Sequence, residues 1–262
     1  MHPVISAFPR HIFYGGMLLD GPNVQQPGFG GELKDIIAKK FPHFRQFNIL
    51  DIDSKEERDG TSLSNRDEAE LVLHLYRTLD QESEGVVAQT RVAIITPYSQ
   101  QVSLLHRMFG DVYGDSYAKR VEIRYAWHDY LIISRSATSF NSTLLIPYFA
   151  SSYSTVDAFQ GRESSIVIYS CVRAGDKGSG IGFLSDVQRM NVALTRAKNF
   201  LFVIARRRSI IVNPYWRDLV NYAREKNAII HVPKNIERRL QTNTNERTEL
   251  FPNLAWLAPV SN

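Results

Sequence analysis

Asp186-Val-Gln-Arg-Met-Asn-Val-Ala-Leu-Thr-Arg-Ala-Lys-Asn-Phe-Leu-Phe-Val-Ile-Ala205 is the stretch from which the fold follows. The apolar spacing predicts a helix over 186–197, with Asp186 near its start. Phe200 to Ala205 is an unbroken apolar run of strand length. A strand without polar alternation is buried on both faces, as in a parallel sheet covered by helices on either side.

Working outward, the same alternation of element types recurs. Ser165 to Val172 reads as another buried strand, and Val92 to Thr96 as a third, closed by Pro97 and followed by an amphipathic helix from Gln100 to Phe109. Asn48 to Asp53 and Val121 to Arg124 read as shorter strands. Ser64-Asn-Arg-Asp-Glu-Ala-Glu70 opens a helix with Leu71, Leu75 and Leu79 on one face, capped by Ser64 or Asn65. Pro214 to Glu225 is a helix with Pro in its first turn, and Ala228 to Val232 a last strand. Strands separated by helices predict a doubly wound α/β sheet. Before about Phe47 the chain is rich in Gly, Pro and aromatics, an irregular lead-in (1–46) with one helical pattern at Glu32 to Lys40. After Pro233 it turns polar, and 234–262 is expected to be a mobile tail.

Composition narrows the classes. In 262 residues, 44% are hydrophobic, enough for a core, and 15 Gly with 11 Pro are too few for a collagen-like or low-complexity chain. Cys171, the single cysteine, excludes an internal disulfide or a cysteine zinc site. No run of 18 apolar residues and no secretory signal pattern is present, so no membrane partner is expected. The net charge of +4 is uneven: Ser185 to Lys226 holds nine basic and three acidic residues, so that stretch carries +6 and the rest −2. Such clustering suits a chain that contacts phosphates.

In open α/β sheets ligands sit at the carboxyl ends of the strands. Three segments are expected there: Thr96-Pro-Tyr-Ser-Gln-Gln101, Ser154-Thr-Val-Asp-Ala-Phe-Gln-Gly-Arg-Glu163, and Gln188 to Lys198. Arg189 and Arg196, seven apart, fall on one face of the expected helix, and a guanidinium fork matches phosphate oxygens. Each segment alone is explained equally well by a turn or a solvated helix face.

Together, in this order, the three resemble motifs IV, V and VI of Upf-like superfamily-1 helicases, with Gly182-Phe-Leu184 leading into the last. Met1-His-Pro3, Phe8-Pro9, Phe13-Tyr14 and Asp20-Gly-Pro22 extend the resemblance, while Ser62-Leu-Ser-Asn-Arg66 and Trp216-Arg-Asp-Leu219 through Ile230 are most similar to the senataxin branch. The resemblance covers roughly residues 1–233. It implies a RecA-like doubly wound parallel sheet, the second motor domain of an ATP-dependent RNA or RNA:DNA helicase, with ATP and Mg2+ held mainly by a first RecA domain. It also implies single-stranded RNA or DNA, or an RNA:DNA hybrid, as partner, and a nuclear location, with the cytoplasm as alternative. Carried over, Arg196 is the arginine finger with Arg189 beside it; Gln160, Gly161 and Glu163 approach the nucleotide; Thr96, Pro97, Ser154 and Thr155 touch the nucleic-acid backbone. Asp157 and Gln160 could couple the two sites.

Two departures qualify this. No Gly-x-x-x-x-Gly-Lys-Ser/Thr string occurs, and Asp67-Glu-Ala-Glu70, which resembles a Walker B box, lacks the apolar strand that should precede it and reads as a helix amino terminus. The chain is therefore expected to be a carboxyl-terminal part of a longer protein, or a gene model begun at an internal Met, unable to hydrolyse ATP alone. A nucleic-acid-binding or interaction module without ATPase activity, and a DNA helicase of the same superfamily, are the rivals. Secondly, 125–150 interrupt the resemblance with only Asp129 and Arg135 formally charged. This is either a surface loop or an intron retained in frame: Arg124-Tyr125 can be encoded across a splice-donor-like AG/GTAT, and Pro147-Tyr-Phe-Ala-Ser151 as a pyrimidine tract ending in AG.

Overall fold

The computed structural model describes residues 1–26, 28–125, 163–175 and 180–233. Six strands form one parallel sheet: β1 (Phe47–Ile52), β4 (Val92–Thr96), β5 (Val121–Tyr125), β6 (Ser164–Ser170), β7 (Ala197–Ala205) and β8 (Ile229–Val232), in the order β5-β4-β6-β7-β1-β8. β2 (Glu57–Asp59) and β3 (Ser62–Ser64) make a separate antiparallel hairpin. The register sets Ile94 opposite Ile168, Ile168 opposite Phe202, and Phe47 opposite Leu201.

Helices α1 (Pro3–Tyr14), α2 (Gly31–Lys40), α3 (Arg66–Glu82), α4 (Ser99–Tyr113), α5 (Val187–Leu194), α6 (Arg207–Ile210) and α7 (Pro214–Glu225) surround the sheet. β7 shows why both faces need cover. Phe200, Phe202 and Ile204 point into a core built with Ile37 of α2, Leu71 and Leu75 of α3, and Leu105 and Phe109 of α4. Leu201, Val203 and Ala205 point into a second core built with Ile5 and Phe8 of α1, Met190 and Leu194 of α5, and Trp216 and Leu219 of α7. The fold is thus the doubly wound α/β sheet that the apolar runs predict, of the RecA-like kind that the resemblance implies.

Local corrections follow from local chemistry. The lead-in is more regular than expected: α1 starts at Pro3, in the first turn where Pro is tolerated, and His2 Nδ1 accepts a hydrogen bond from the Val4 N–H at 3.2 Å. Asn65 is the cap of α3, accepting from the Glu68 N–H at 3.1 Å, so Asp67 and Glu68 do sit at a helix amino terminus. α5 stops at Leu194 rather than Ala197, because Thr195 Oγ1 turns back onto the Asn191 carbonyl at 2.8 Å and β7 begins at Ala197. Tyr125, the first residue of the expected interruption, is the last of β5; 126–150 and 234–262 lie outside the described residues.

Candidate functional site

The predicted segments do not share one edge. Glu163 immediately precedes β6 and Arg196 immediately precedes β7, so both stand at the amino ends of their strands and not the carboxyl ends. The Ser164 N–H donates to the Arg196 carbonyl at 2.9 Å, which fixes the two starts side by side. Lys198 Nζ lies 3.6 Å from Glu163 Oε2, and the His2 N–H donates to the Lys198 carbonyl at 2.7 Å. Met1-His-Pro3 and the end of motif VI are therefore neighbours, although the chain separates them almost completely. The amino terminus of α1 faces the same edge and adds its partial positive charge. Burial holds the His2 imidazole below its ordinary pKa, with Lys34 and the chain terminus adding to the effect, so it is a neutral cap. Arg196 is half-buried and Glu163 exposed.

Arg189 is elsewhere. It lies in the first turn of α5, paired with Asp186 at 2.8 Å and with its guanidinium 5.6 Å from the Phe183 ring centre. Arg196 is beyond the other end of that helix, about 10 Å along the axis at 1.5 Å per residue. The two arginines expected on one helix face are not brought together, because the helix ends before Arg196.

The Thr96-to-Gln101 turn is the predicted segment that does lie at a carboxyl end. Thr96 and Pro97 are both buried, and Thr96 Oγ1 has no hydrogen-bond partner among the described residues. Ser99 is exposed and Gln100 half-buried. Ser62 Oγ, from the β2–β3 hairpin, accepts from the Gln100 N–H and meets Ser99 Oγ, both at 3.2 Å, which caps α4 from across space. Gly182, with φ +52°, approaches so near that an added Cβ would stand 3.1 Å from the Tyr98 hydroxyl. Ser154, Thr155, Asp157, Gln160 and Gly161 fall outside the described residues.

Beneath this edge lies a network that the sequence reading does not anticipate. Glu68 is fully buried; its Oε2 accepts from Ser170 Oγ at 2.7 Å and the Val172 N–H at 2.8 Å. Gln101 Nε2 donates to the Asn65 carbonyl and to Ser170 Oγ, both at 3.1 Å, and its Oε1 accepts from the Asn65 N–H at 2.8 Å. Asn65 Nδ2 donates to the Val172 carbonyl at 2.9 Å. Val172 has φ +68°, a costly left-handed conformation for a β-branched residue, and Glu68 and Asn65 hold it from both sides. Burial pushes the Glu68 carboxyl up to about 8, against the opposing pull of the Val172 and Ser170 donors. The network fastens motif IV to the end of β6. One acid and two amides in polar stretches carried no signal of this.

A second cluster was also missed. Arg206, Arg207, Arg208, Asp51, Asp53 and His231 meet at the carboxyl ends of β7, β1 and β8. Here the signal existed: a triple Arg directly after one buried strand and Asp-Ile-Asp ending another.

No helix among the described residues is long and apolar enough to cross a membrane, and no group of three or more His, Cys, Asp or Glu among them gathers as a metal set. The AAA domain family matches residues 1–208 of the chain. A probable helicase of Dictyostelium discoideum is 31% identical over 258 residues, 97% of this chain and 22% of its own length. Helicase SEN1 of Saccharomyces cerevisiae is 30% identical over 242 residues, 88% of this chain and 9% of its own. The probable helicase MAGATAMA 3 of Arabidopsis thaliana is 32% identical over 238 residues, 89% of this chain and 25% of its own. The chain therefore spans a quarter or less of the length of these relatives.

Proposed function

The chain belongs to the AAA domain family of senataxin- and Upf-like superfamily-1 helicases, and on that premise we propose that it is the second motor domain of an ATP-dependent helicase acting on RNA or RNA:DNA hybrids. The observation that carries the reading is the amino-end assembly: Arg196, Glu163 and Lys198 joined through the Ser164-to-Arg196 hydrogen bond, beside the α1 terminus. A permanent guanidinium charge at a strand start, braced by backbone, is suited to a phosphoryl group in transfer. Arg196 is the finger in this reading; Glu163, with Gln160 and Gly161 of the same segment, approaches nucleotide. Arg189 instead braces the Phe183 turn.

ATP and Mg2+ supply the transferable phosphoryl group and its counter-charge. The 262 residues contain no P-loop string, so this reading assigns the phosphate cradle and the metal to a first RecA domain, a partner domain of the full protein. On the carboxyl edge, the turn after β4 contacts the strand through Ser99 and Gln100, with Thr96 and Pro97 shaping it from below; Ser154 and Thr155 are assigned to the same single-strand channel. In this reading, which rests on the resemblance to the senataxin branch, the location is nuclear, with the cytoplasm as alternative, and the substrate RNA or an RNA:DNA hybrid, with DNA as alternative.

The test is Arg196→Ala in the chain joined to a first RecA domain. Nucleic-acid-stimulated ATP hydrolysis should fall roughly 10³- to 10⁵-fold while strand affinity changes little. Unchanged turnover refutes the finger. The missing P-loop favours a second reading, a binding module without ATPase activity. A joined protein that binds strand but shows no stimulated hydrolysis supports that alternative.

A further inference from the structure

The +6 stretch does not form one surface. Arg189 answers Asp186, Lys198 answers Glu163, and the Arg206-Arg207-Arg208 triplet turns to the opposite end of β7. There it lines a cleft of about 390 Å³. Asp51 takes Arg207 through its Nε at 3.0 Å and its N–H at 2.9 Å, and also His231 at 3.1 Å. Asp53 takes both Arg206, at 3.2 Å, and Arg208, at 2.7 Å. Among the described residues that line the cleft, three guanidiniums stand with two carboxylates and an imidazole, one more formal positive charge than negative. Exposed pairs add little stability, so stability does not account for a surplus at one point of the surface.

Within the cluster the three arginines are not equivalent. Arg206 and Arg207 side chains are 12% and 33% exposed and also brace backbone: Arg206 donates to the Ala174 carbonyl, and Arg207 anchors the start of α6 on Asp51. The Arg208 side chain is 62% exposed. The described wall offers Ile52, Ile211, Val232 and the His231 imidazole, which is tied to Asp51, but no Phe, Tyr or Trp ring for a base. It sits on the carboxyl edge, the edge that also presents Ser99 and Gln100, and roughly 30 Å from Arg196, the length of β7 at 3.3 Å per residue.

We propose that this cleft receives a backbone phosphate of a single nucleic-acid strand, with Arg208 as the residue that reaches it. A site with charge, an open mouth and no Phe, Tyr or Trp platform among its described lining holds phosphate without reading sequence. The inference rests on the proposed helicase reading and extends its strand contacts along the sheet from the β4 turn to the far side of β7.

The experiment measures binding of a fluorescein-labelled oligo(U) to the chain across a salt series, for wild type, Arg208→Ala, Arg208→Lys and Asp53→Asn, with unfolding curves to confirm folding. Arg208→Ala should weaken binding several-fold and reduce the slope of log K against log salt by about 0.7, one single-strand phosphate contact. Arg208→Lys should keep the slope, and Asp53→Asn, which releases the guanidiniums, should strengthen binding. A fold-only role predicts no such gain. If wild type binds and Arg208→Ala leaves affinity and slope unchanged, the site is overturned while the helicase reading stands. If wild type binds no oligonucleotide, both fall. If inorganic phosphate protects the chain against unfolding through Arg208 but oligo(U) ignores the substitution, the site takes a free anion and the strand assignment is overturned.

Discussion

Glu68 carries the clearest titration in the molecule. Its folded carboxyl is raised to about 8 by burial, against an ordinary 4.5. The folded chain therefore holds a proton that the unfolded chain gives up; the associated stability is complete below about pH 4.5 and lost as pH rises through 8. Unfolding free energy should drop by on the order of 1 kcal/mol per pH unit between about pH 5 and pH 8 from this residue. Glu68→Gln, neutral throughout, should flatten that fall. Urea unfolding of both proteins across the range checks it; parallel profiles would show that the carboxyl is ionised in the fold. Residue roles were legible where chemistry is local: Asn65 as a cap, Asp67 to Glu70 as a helix start and Asp186 near another. They were illegible where depth decides. A Thr-Pro pair after a strand reads as contact chemistry in sequence, but whether it faces ligand or core depends on the hairpin and helix packed over it, and Thr96 and Pro97 face the core.

Among the elements, α7 sets the position of the segment that leads into α5. Trp216 is fully buried, its ring stacks on Tyr169 with an interplanar angle of 9°, and its Nε1 donates to the Leu184 carbonyl at 2.7 Å. Trp216→Phe keeps most of the packing and orphans that carbonyl, so it should cost roughly 1 to 3 kcal/mol, a melting point lower by several degrees. Trp216→Ala should cost about 3 to 5 kcal/mol. Calorimetry separates the two; a Trp216→Phe protein as stable as wild type would mean that the hydrogen bond contributes nothing. The strands are legible to within three residues, β7 starting at Ala197 and not Phe200, because unbroken apolar runs have one good interpretation in a parallel sheet. α1 was missed because its two prolines, Pro3 and Pro9, and the glycines after it argue against a helix, while packing of Ile5 and Phe8 on the sheet outweighs that propensity. The hairpin β2–β3 was missed because three-residue strands of mostly polar residues carry no periodic signal.

Over the whole molecule, stability is graded from the middle of the sheet outward. β6 and β7 are paired on both sides and buried on both faces, whereas β5 and β8 each have one strand partner among the described residues. Amide exchange should be slowest at Ile168 and Val203 and measurably faster at Ile123 and Ile230. Mass spectrometry of exchanged peptides checks the order; a chain that exchanges uniformly would indicate global opening alone. Sheet class was legible from the strand runs, but strand order was not, because no residue pattern announces that β1 lies between β7 and β8.

That insertion of β1 has a consequence for synthesis. Phe47 finds Leu201 and Ile49 finds Ile229, partners roughly 150 or more residues later in the chain, so at about 5 to 20 residues per second β1 emerges from the ribosome many seconds before either neighbour exists. Throughout that interval both of its hydrogen-bonding edges lack their final partners, and β1 has only packing against earlier elements and the following α3 to cover it until residues 197–232 have been made.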